Sequence, residues 1–535
     1  MTPQASACPA SAAHSTRGMV TSPHALATQC GVDVLATGGN AIEAAIATVA
    51  ALWVTYPHFC GPGGDAFLLV SDAQGQVQTL SGIGQAAADI SGYSGAIPVR
   101  GPRATLTSAG AVDALGQALA ISQAQWQGSK SWGKLLAPAL ALAREGFDIS
   151  ASERFWLNFR RSDAASLPGI YPASLHDGEV PPAGFVRRQP ELARTLETLA
   201  ERGPRDFYEG QLAQRIAAGL RAAGSPLTAL DLARTLARVE APLGVPYRGG
   251  ELLAHRPPTQ GVTTLQIMGL LERFDLSKLA QGSADHYHLL VEAVKQAFLD
   301  RNRFVADPDC AEVPVDRLLS PAHLDAGARA IQMKQALPWP LPYQHGDTVY
   351  VGAADAAGNS VSLLATVYFD WGSGVLAGDT GVLWHNRGAA FSLNPAHPNV
   401  LAAGKRPFHT LNPGMYRKDG KVQLLYGTQG ADGQPQTLAA VLTRLIDYPM
   451  DPMAALAAPR FLLGRTFSDS KDSLKLEDDV PADVVADLRQ RGHSISLIAA
   501  SNPLMGHPGA IAIDPVSGHM TGAHDPRSDG LAIGL

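Results

Sequence analysis

The chain has 535 residues, of which 46% are hydrophobic and 17% charged, and its formal net charge is −6. This composition is ordinary for a globular protein, and the slight acidic excess argues against a nucleic-acid binder, which usually carries a basic excess. Length alone is compatible with several domains or with one large α/β unit.

The first seventeen residues are rich in Ala and Ser and lack a basic start followed by an apolar core. We therefore predict a disordered tail over residues 1–17, no secretory signal and a cytoplasmic location. The cysteines, Cys8, Cys30, Cys60 and Cys310, show no C-x-x-C spacing. This scatter predicts free thiols, with neither a disulfide framework nor a structural zinc site.

Two helices are predicted next. Apolar residues recur at helical spacing from His24 to Leu35, Gly38-Gly39 ends that helix, and Asn40 is a good N-cap for a second helix over Ala41–Thr55. The second segment contains a glutamate and is too short for a membrane crossing of about 20 residues. It is predicted to be a buried helix, so no membrane span is expected.

Glycines precede a short apolar run, Ala66–Val70, which is suited to a buried strand. A phosphate-binding loop has the opposite order, with the strand before the glycines and a Lys-Ser/Thr pair closing the loop. Gly61-Pro-Gly-Gly-Asp65 is therefore interpreted as a tight structural turn. A nucleotide-binding protein built on this turn is the weaker alternative.

Residues from about Trp132 to Gly282 are predicted to be mainly helical. The following helix, Ser283–Arg303, places His288, Glu292 and Lys295 at i, i+4 and i+7. That spacing fits either a ligand-binding face or a solvated face with ion pairing, and we predict the solvated face. Further on, the proline-rich segment 338–345 is predicted to be an exposed linker, strained or mobile.

A β-hairpin is predicted over Val349–Ala354 and Val361–Tyr368, with Asp-Ala-Ala-Gly-Asn supplying the turn. Thr348 lies at the start of its first strand. A threonine hydroxyl becomes a useful nucleophile when its own α-amine acts as the base, which requires cleavage of the preceding peptide bond. The alternative is ordinary turn-to-strand chemistry.

A turn begins at Gly427, between a predicted strand at Val422–Tyr426 and a predicted helix at Pro435–Ile446. Such a turn can direct consecutive backbone N–H groups at one point, which is how an oxyanion is held. The periodicity of the whole chain supports an α/β class.

Several blocks occur in one order along the chain: Gly18-Met-Val-Thr-Ser-Pro-His-Ala-Leu-Ala, Gly38-Gly-Asn-Ala-Ile-Glu-Ala-Ala, Gly61-Pro-Gly-Gly-Asp65, Pro257-Pro-Thr-Gln-Gly261, Gly346-Asp-Thr-Val-Tyr350, Gly404-Lys-Arg-Pro407 and Asp525-Pro-Arg-Ser528. From Gly18 onward the chain resembles the γ-glutamyltransferase family of N-terminal-nucleophile hydrolases. The resemblance implies a four-layer αββα sandwich and autocleavage between Asp347 and Thr348.

The large subunit would then be residues 18–347 and the small subunit residues 348–535, together forming one αββα unit; a dimer of these heterodimers stays open. By the same resemblance Thr348 is the nucleophile, Thr366 is the second threonine that assists its amine, and the backbone of Gly430 and Ala431 forms the oxyanion hole. An alanine fits there because the donor is a main-chain N–H. No metal or organic cofactor is expected, since the α-amine activates the nucleophile.

The substrate clamp departs from glutathione-cleaving members. Their arginine corresponds approximately to Ile90, their asparagine to Tyr368, their aspartate to Ala390 and their serine pair to His409-Thr410. A bound ammonium in a closed pocket needs a carboxylate partner, and an unpaired buried charge costs about 3–5 kcal/mol. A γ-glutamyl group is therefore expected to fit poorly.

The altered set resembles the amidase and acylase branch of the family, which includes oxamate amidohydrolases of purine-nitrogen salvage and cephalosporin acylases. Tyr368, Arg387, His409 and Thr410 are the candidate substrate-binding residues. Either Arg387 or Arg406 could bind a carboxylate bidentately, and a structural salt bridge is the alternative for Arg406. The expected partner is a small amide with one carboxylate, oxamate first. A glutathione hydrolase, a glutaryl or cephalosporin-type acylase and a non-catalytic relative are the alternatives.

Overall fold

The computed structural model describes residues 11–339, 347–464 and 471–535. Residues 1–10 of the predicted tail and residues 340–345 of the predicted linker lie outside these ranges.

The strands are β1 (Ala13–Ser15), β2 (Gly18–Ser22), β3 (Asp65–Ser71), β4 (Val77–Gly82), β5 (Phe147–Asp148), β6 (Val186–Arg187), β7 (Arg238–Glu240), β8 (Leu243–Tyr247), β9 (Gly250–Ala254), β10 (Asp347–Asp355), β11 (Ser360–Tyr368), β12 (Gly414–Lys418), β13 (Lys421–Thr428), β14 (Phe461–Gly464), β15 (Ser473–Glu477), β16 (Ile495–Ile498), β17 (Pro508–Ile513), β18 (Met520–His524) and β19 (Leu531–Gly534).

The helices are α1 (Ala25–Ala36), α2 (Ala41–Thr55), α3 (Ala111–Gln125), α4 (Trp132–Glu145), α5 (Ala151–Phe159), α6 (Ile170–Ala173), α7 (Pro190–Arg202), α8 (Asp206–Glu209), α9 (Gln211–Ala223), α10 (Ala229–Ala233), α11 (Gly261–Leu271), α12 (Ala284–Phe304), α13 (Val315–Leu318), α14 (Pro321–Ala330), α15 (Gln434–Ile446), α16 (Pro452–Ala457) and α17 (Ala482–Gln490).

Two antiparallel seven-stranded sheets form the centre of the molecule. The first sheet has the order β1-β18-β17-β13-β12-β9-β8, and the second has the order β19-β2-β10-β11-β3-β4-β7. The predicted hairpin is confirmed as β10 and β11, whose register runs from Asp347 opposite Tyr368 to Ala354 opposite Ser360, with a bulge near Thr348. The hairpin lies in the middle of the second sheet, between β2 and β3.

The sheets stack on one another, and helices cover their outer faces. One face of β10 and β11, including Val351 and Leu363, packs with α1–α5, α7 and α9 in the largest apolar cluster. The outer face of the first sheet packs against α11, α12 and α15 in a second cluster. Between the sheets lies a smaller cluster that includes Met19, Leu425 and Ile511. These layers confirm the predicted αββα sandwich.

The first helical hairpin matches its prediction closely. Helix α2 spans Ala41–Thr55, and Asn40 caps it by accepting a hydrogen bond from the Glu43 backbone while the Glu43 side chain accepts one from the Asn40 backbone. All residues of α2 are buried. This reciprocal capping box explains why the sequence locates the start of the helix.

The prediction of a disordered tail is wrong for part of its length. Ala13–Ser15 form β1, an edge strand of the first sheet that pairs with β18 near the C-terminus. Ser15 Oγ also donates to the Leu535 carbonyl at 2.7 Å. The pairing supplies backbone partners from the far end of the chain, which the local composition does not reveal.

The prediction of a solvated face on helix α12 is also wrong, although its ion pair exists. His288, Glu292 and Lys295 are at most 2% exposed. Lys295 Nζ lies 2.7 Å from Glu292 Oε1 and donates to the Leu337 carbonyl, while the Leu337 N–H donates to Glu292. The charged pair is therefore buried and binds the backbone of the segment that leads toward the predicted cut.

Each sheet combines strands from both sides of the Asp347–Thr348 bond. In the second sheet, β10 and β11 lie between β2 and β3, and in the first sheet β12 pairs with β9. Across the described residues, no helix has the length and apolar character to cross a bilayer. Cys30, Cys60 and Cys310 are free, as predicted for these three cysteines.

Candidate active site

Thr348 is the second residue of β10 and is 2% exposed. Val349 and Val351 pack into the helix-covered cluster, whereas Tyr350 packs between the sheets. The Thr348 hydroxyl likewise contacts the first-sheet side, because it accepts a hydrogen bond from Gln434 Nε2 at 3.3 Å. The candidate nucleophile thus lies in the gap between the sheets, at one end of the hairpin.

Thr366, on β11, is hydrogen-bonded to the peptide group that would be cut. Its Oγ1 donates to the Asp347 carbonyl oxygen and accepts from the Tyr368 N–H at 2.7 Å. A donor on that oxygen polarises the carbonyl and would stabilise negative charge formed when Thr348 attacks it. The two predicted threonines are therefore brought to the same peptide bond.

The turn Gly61–Asp65 lies directly beside Thr366. A Cβ at Gly64 would stand 2.1 Å from the Thr366 carbonyl oxygen, so only glycine fits at this position. The Gly64 N–H closes the turn on the Gly61 carbonyl at 3.1 Å. The interpretation of this segment as a tight structural turn is confirmed.

The Asp347 side chain is buried near Asp370, Gln429, Arg160 and Arg100. Burial and the nearby Asp370 carboxylate raise the pKa of Asp347 well above its usual range, against the opposing effects of Gln429, Arg160 and Arg100. Gln429 donates to Asp347 Oδ1. Asp370 itself is held by Arg160, with N···O distances of 2.7 and 2.6 Å.

Gly430 and Ala431 lie where β13 leads into α15. A 3₁₀ turn over Ala431–Gly433 joins them to the helix, and its first N–H groups have no partner within the helix. The N-terminal end of a helix favours negative charge. Gly430 has φ 130° and Ala431 φ 44°. The predicted oxyanion residues therefore adopt conformations that suit glycine, which Ala431 accommodates at a cost of about 1–2 kcal/mol.

Arg387 is fully buried and stacks on Tyr368, with its guanidinium carbon 3.5 Å from the ring centroid. Its Nη2 donates to Thr410 Oγ1 at 3.1 Å. Nε and Nη1 have no hydrogen-bond partner, and no carboxylate pairs with this arginine, within the part of the chain that the structure describes. Burial lowers the pKa of the Arg387 guanidinium. Three predicted substrate-binding residues thus form one group, the Arg387 clamp (Tyr368, Arg387 and Thr410).

His409 is adjacent to the Arg387 clamp but uses both ring nitrogens within the protein. Its Nδ1 accepts from the Leu411 N–H at 3.2 Å, and its Nε2 lies 3.1 Å from Asp65 Oδ2. Burial lowers the pKa of His409 to about 3, so the ring is neutral. Although burial opposes its ionisation, Asp65 has a pKa below its usual range because His385 and His409 contact it.

Arg406 lies in a different setting. It pairs with Asp307 at 2.5 Å and with Asp309 at 3.3 Å, and its side chain is 3% exposed. The structural salt bridge considered for Arg406 is therefore the arrangement found. Ile90, at the approximate place of the family's arginine, packs with Leu106 and Phe391.

Several residues of the site were not predicted from the sequence. They are Gln429 and Gln434, which contact Asp347 and Thr348, Asn412, which donates its N–H to Gln434 Oε1 at 3.3 Å, and the Arg100–Arg160–Asp370 group. The position of Gln434 at the start of the predicted helix after the oxyanion turn was an available signal. Asn412 and Asp370 carry no local signal.

One group of described residues has metal-ligand character. Ligand atoms of His288, Glu292 and His493 all lie within 4.8 Å of one another. His288 Nδ1 and His493 Nε2 are hydrogen-bonded to each other at 2.8 Å, and Glu292 is paired with Lys295. These groups satisfy one another, and the Lys295 ammonium disfavours a second cation beside it.

A threonine at the head of a central hairpin, between two stacked antiparallel sheets with helices outside, defines an N-terminal-nucleophile hydrolase that acts on amide bonds. The sequence model of the gamma-glutamyltranspeptidase family matches residues 27–535. The chain belongs to this family.

Its relatives include several proenzymes. The chain is 42% identical to the oxamate amidohydrolase proenzyme of Klebsiella pneumoniae subsp. pneumoniae over 97% of this chain and 99% of that protein. It is 39% identical to the glutathione hydrolase-like YwrD proenzyme of Bacillus subtilis, with the same coverage. The structure of cephalosporin acylase from Bacillus halodurans superposes with a TM-score of 0.90 at 32% identity, covering 100% of this chain and 99% of that one. Processing of one precursor into two subunits fits these names.

Proposed function

We propose that the chain is a self-processing amidohydrolase with an N-terminal threonine, which cleaves a small amide bearing one carboxylate and no α-ammonium. Oxamate is the leading substrate, hydrolysed to oxalate and ammonia. The observation that carries this proposal is Arg387, a fully buried arginine with unpartnered Nε and Nη1 and no ion-pair partner among the described residues. A bound carboxylate would satisfy both nitrogens bidentately.

The acidic groups near the clamp argue against a substrate ammonium. Asp65 is engaged by His385 and His409, and Asp432 lies 3.4 Å from Arg301 Nη1. Neither carboxylate is available to pair with an α-ammonium without breaking its own contacts. Tyr368 and Ala390, at the places of the family's asparagine and aspartate, supply no charge. A γ-glutamyl group would therefore be bound weakly.

The contacts of the uncut bond support self-processing. Thr348 Oγ attacks the Asp347 carbonyl carbon while the Thr366 hydroxyl donates to the carbonyl oxygen. The C–N bond breaks as the proton from Thr348 Oγ passes to the nitrogen, which frees the α-amine of Thr348 and leaves an ester between Asp347 and Thr348 Oγ. Water hydrolyses this ester, so that Asp347 ends in a carboxylate and the Thr348 hydroxyl is restored.

Substrate hydrolysis then uses that amine as the base. It accepts the hydroxyl proton of Thr348 as Oγ bonds to the amide carbon, and the oxyanion is directed to the Gly430–Ala431 backbone. The C–N bond breaks, the amine returns the proton to the departing nitrogen, and ammonia leaves. Water hydrolyses the acyl-threonine ester and releases oxalate. Both ring nitrogens of His409 are hydrogen-bonded within the protein, so we assign this residue a role in positioning the adjacent Arg387 clamp.

A glutaryl or cephalosporin-type acylase is the second candidate. The superposition on a cephalosporin acylase with a TM-score of 0.90 favours it. A longer acyl chain could also present its carboxylate to Arg387, so these substrates belong in the same experiment.

The processing step is tested by Thr348→Ala. The wild-type protein should purify as two chains, and N-terminal sequencing of the smaller should give Thr-Val-Tyr-Val, whereas Thr348→Ala should remain one chain. Thr348→Ser, which keeps a hydroxyl, serves as the matched control and should still be cut. A small chain with another first residue would contradict the assignment of Thr348.

The substrate is tested by kcat/KM on oxamate, a glutaryl amide and glutathione. Oxamate should be preferred, and Arg387→Ala should lower its kcat/KM by about 100-fold or more, because a charge-assisted bidentate contact is lost. Arg329→Ala, at an exposed arginine, should have no effect. If glutathione is preferred by tenfold, about 1.4 kcal/mol of transition-state energy, the protein is instead a glutathione hydrolase.

A further inference from the structure

A second unpartnered polar group is buried close to the nucleophile. Asn412 is 1% exposed, and neither Oδ1 nor Nδ2 of its carboxamide has a hydrogen-bond partner among the residues that the structure describes. Leaving a buried donor or acceptor unpaired destabilises the fold. An acceptor and a donor on one side chain are thus both available to a bound molecule.

Asn412 follows closely after Thr410, a residue of the Arg387 clamp. Leu411 packs with Phe67 and Tyr350 between the sheets, whereas Thr410 accepts a hydrogen bond from Arg387. Asn412 precedes a proline, which favours extended backbone, and side chains two residues apart on extended backbone share a side. Asn412 thus lies two residues after Thr410, the clamp residue that accepts a hydrogen bond from Arg387.

Gln434 connects Asn412 to the nucleophile. Its Oε1 accepts from the Asn412 N–H at 3.3 Å, and its Nε2 donates to Thr348 Oγ1 at 3.3 Å. Gln434 is fully buried at the first position of α15. A single carboxamide thus spans the distance between the Asn412 backbone and the attacking oxygen.

The carbonyl carbon under attack carries an oxygen, an acyl substituent and the leaving nitrogen. In the proposed function, the oxygen is directed to the Gly430–Ala431 backbone and the carboxylate of the acyl group to Arg387. The leaving nitrogen receives its proton from the Thr348 amine, but no residue has been assigned to accept a hydrogen bond from its own N–H groups. The Asn412 carboxamide, linked to Thr348 through Gln434, is a buried polar group whose donor and acceptor are both without a partner among the described residues.

Resting on the proposed function, we infer that Asn412 determines specificity for amides whose carboxylate is bonded directly to the amide carbon. In such a molecule an amide N–H and a carboxylate oxygen lie side by side on one edge. The Asn412 carboxamide offers the complementary pair, with Oδ1 accepting from the N–H and Nδ2 donating to the carboxylate. Methylene groups between amide and carboxylate, as in succinamate or glutaramate, separate the two groups and abolish this edge.

The test is a series of primary amides of increasing length: oxamate, malonamate, succinamate and glutaramate. Asn412→Ala should lower kcat/KM for oxamate by about 10- to 100-fold and leave succinamate and glutaramate within threefold. Asn412→Asp, which puts a carboxylate where Nδ2 was, should reduce oxamate turnover further. Arg387→Ala should lower all four, because every member carries the carboxylate. Asn394→Ala, at an exposed asparagine outside the site, should change none.

The ratio between substrates separates recognition from folding, because a damaged fold lowers every member of the series alike. A uniform loss in Asn412→Ala, or an unchanged oxamate-to-succinamate ratio, overturns the inference while leaving carboxylate-amide hydrolysis intact. A wild-type enzyme that prefers glutathione to all four overturns the proposed function itself, and the inference with it. Processing into two chains, followed on a gel, verifies that each variant folds.

Discussion

Two buried arginines, Arg387 and Arg406, are equivalent candidates in the sequence but differ in their ion pairing in the structure. Arg406 forms an ion pair with Asp307, a buried carboxylate, whereas Arg387 contacts the Tyr368 ring and the Thr410 hydroxyl and forms no ion pair with the described residues. Desolvating a charge that remains unpaired opposes folding, and binding sites commonly retain such groups at the expense of stability. Their contributions to the free energy of unfolding should therefore differ.

The expected outcome is that Arg406→Met lowers the free energy of unfolding by about 3–5 kcal/mol, since it leaves Asp307 buried and unpaired. Arg387→Met should change it by less than about 1 kcal/mol, because the loss of the Tyr368 stacking is offset by removal of a buried charge. Urea unfolding of both variants in the uncut Thr348→Ala chain makes the comparison. An equal loss in Arg387→Met would mean that this arginine is structural.

At the scale of elements, the helix start and the hairpin that depend on neighbouring residues were predicted correctly. Asn40 and Glu43 form a capping box three residues apart, so the start of α2 is encoded within one turn. The hairpin likewise depends on adjacent strands and a short turn, and its predicted limits agree with β10 and β11. The αββα layering came from resemblance, because periodicity identifies strands but does not specify which sheet they join.

Elements whose partners are distant in the chain could not be predicted. The i, i+4, i+7 pattern of His288, Glu292 and Lys295 is the same for a solvated face and for a buried polar cluster. What decides is His493, 205 residues away, together with the backbone of Leu337. The edge strand β1 is similar, because its partner β18 lies at the other end of the chain.

The residues of the candidate site also fall into those that the sequence predicts and those that only the structure reveals. Thr348, Thr366, Gly430 and Ala431 follow from motifs, and the structure brings them to one end of the stacked sheets. The unpaired state of Arg387 is invisible in a sequence, since it depends on which carboxylates fold nearby. For the same reason Asn412 and Asp370, along with Arg100 and Arg160, emerge only from tertiary contacts.

At the scale of the whole molecule, the position of the predicted cut determines whether the two chains stay together after cleavage. Strands from the two sides of the Asp347–Thr348 bond pair with each other in both sheets: β2 with β10 and β3 with β11 in the second sheet, and β9 with β12 and β1 with β18 in the first. Separating the two chains would require breaking ladders in the centre of the fold. Cleavage is therefore expected to free only the new chain ends, at Asp347 and Thr348.

The environment of Asp347 makes the stability of the uncut chain depend on pH. Burial and the Asp370 carboxylate raise the pKa of Asp347 in the folded chain, so the folded state binds this proton more tightly than the unfolded state does. The uncut chain should lose stability as the pH rises above about 4, the ordinary value for a free aspartate, until the raised pKa is passed. The loss is then complete at higher pH.

Asp347→Asn removes this titration while keeping the hydrogen bond from Gln429. In the Thr348→Ala chain, Asp347→Asn should raise the thermal unfolding temperature at pH 8, and the gain should shrink at pH 5 as Asp347 itself becomes protonated in the parent. Differential scanning fluorimetry at the two pH values measures the difference. Asp316→Asn, at an exposed position, is the control and should show no such dependence. A gain that grows as the pH falls would mean that the Asp347 side chain is an ion stabilised by Arg160 and Arg100.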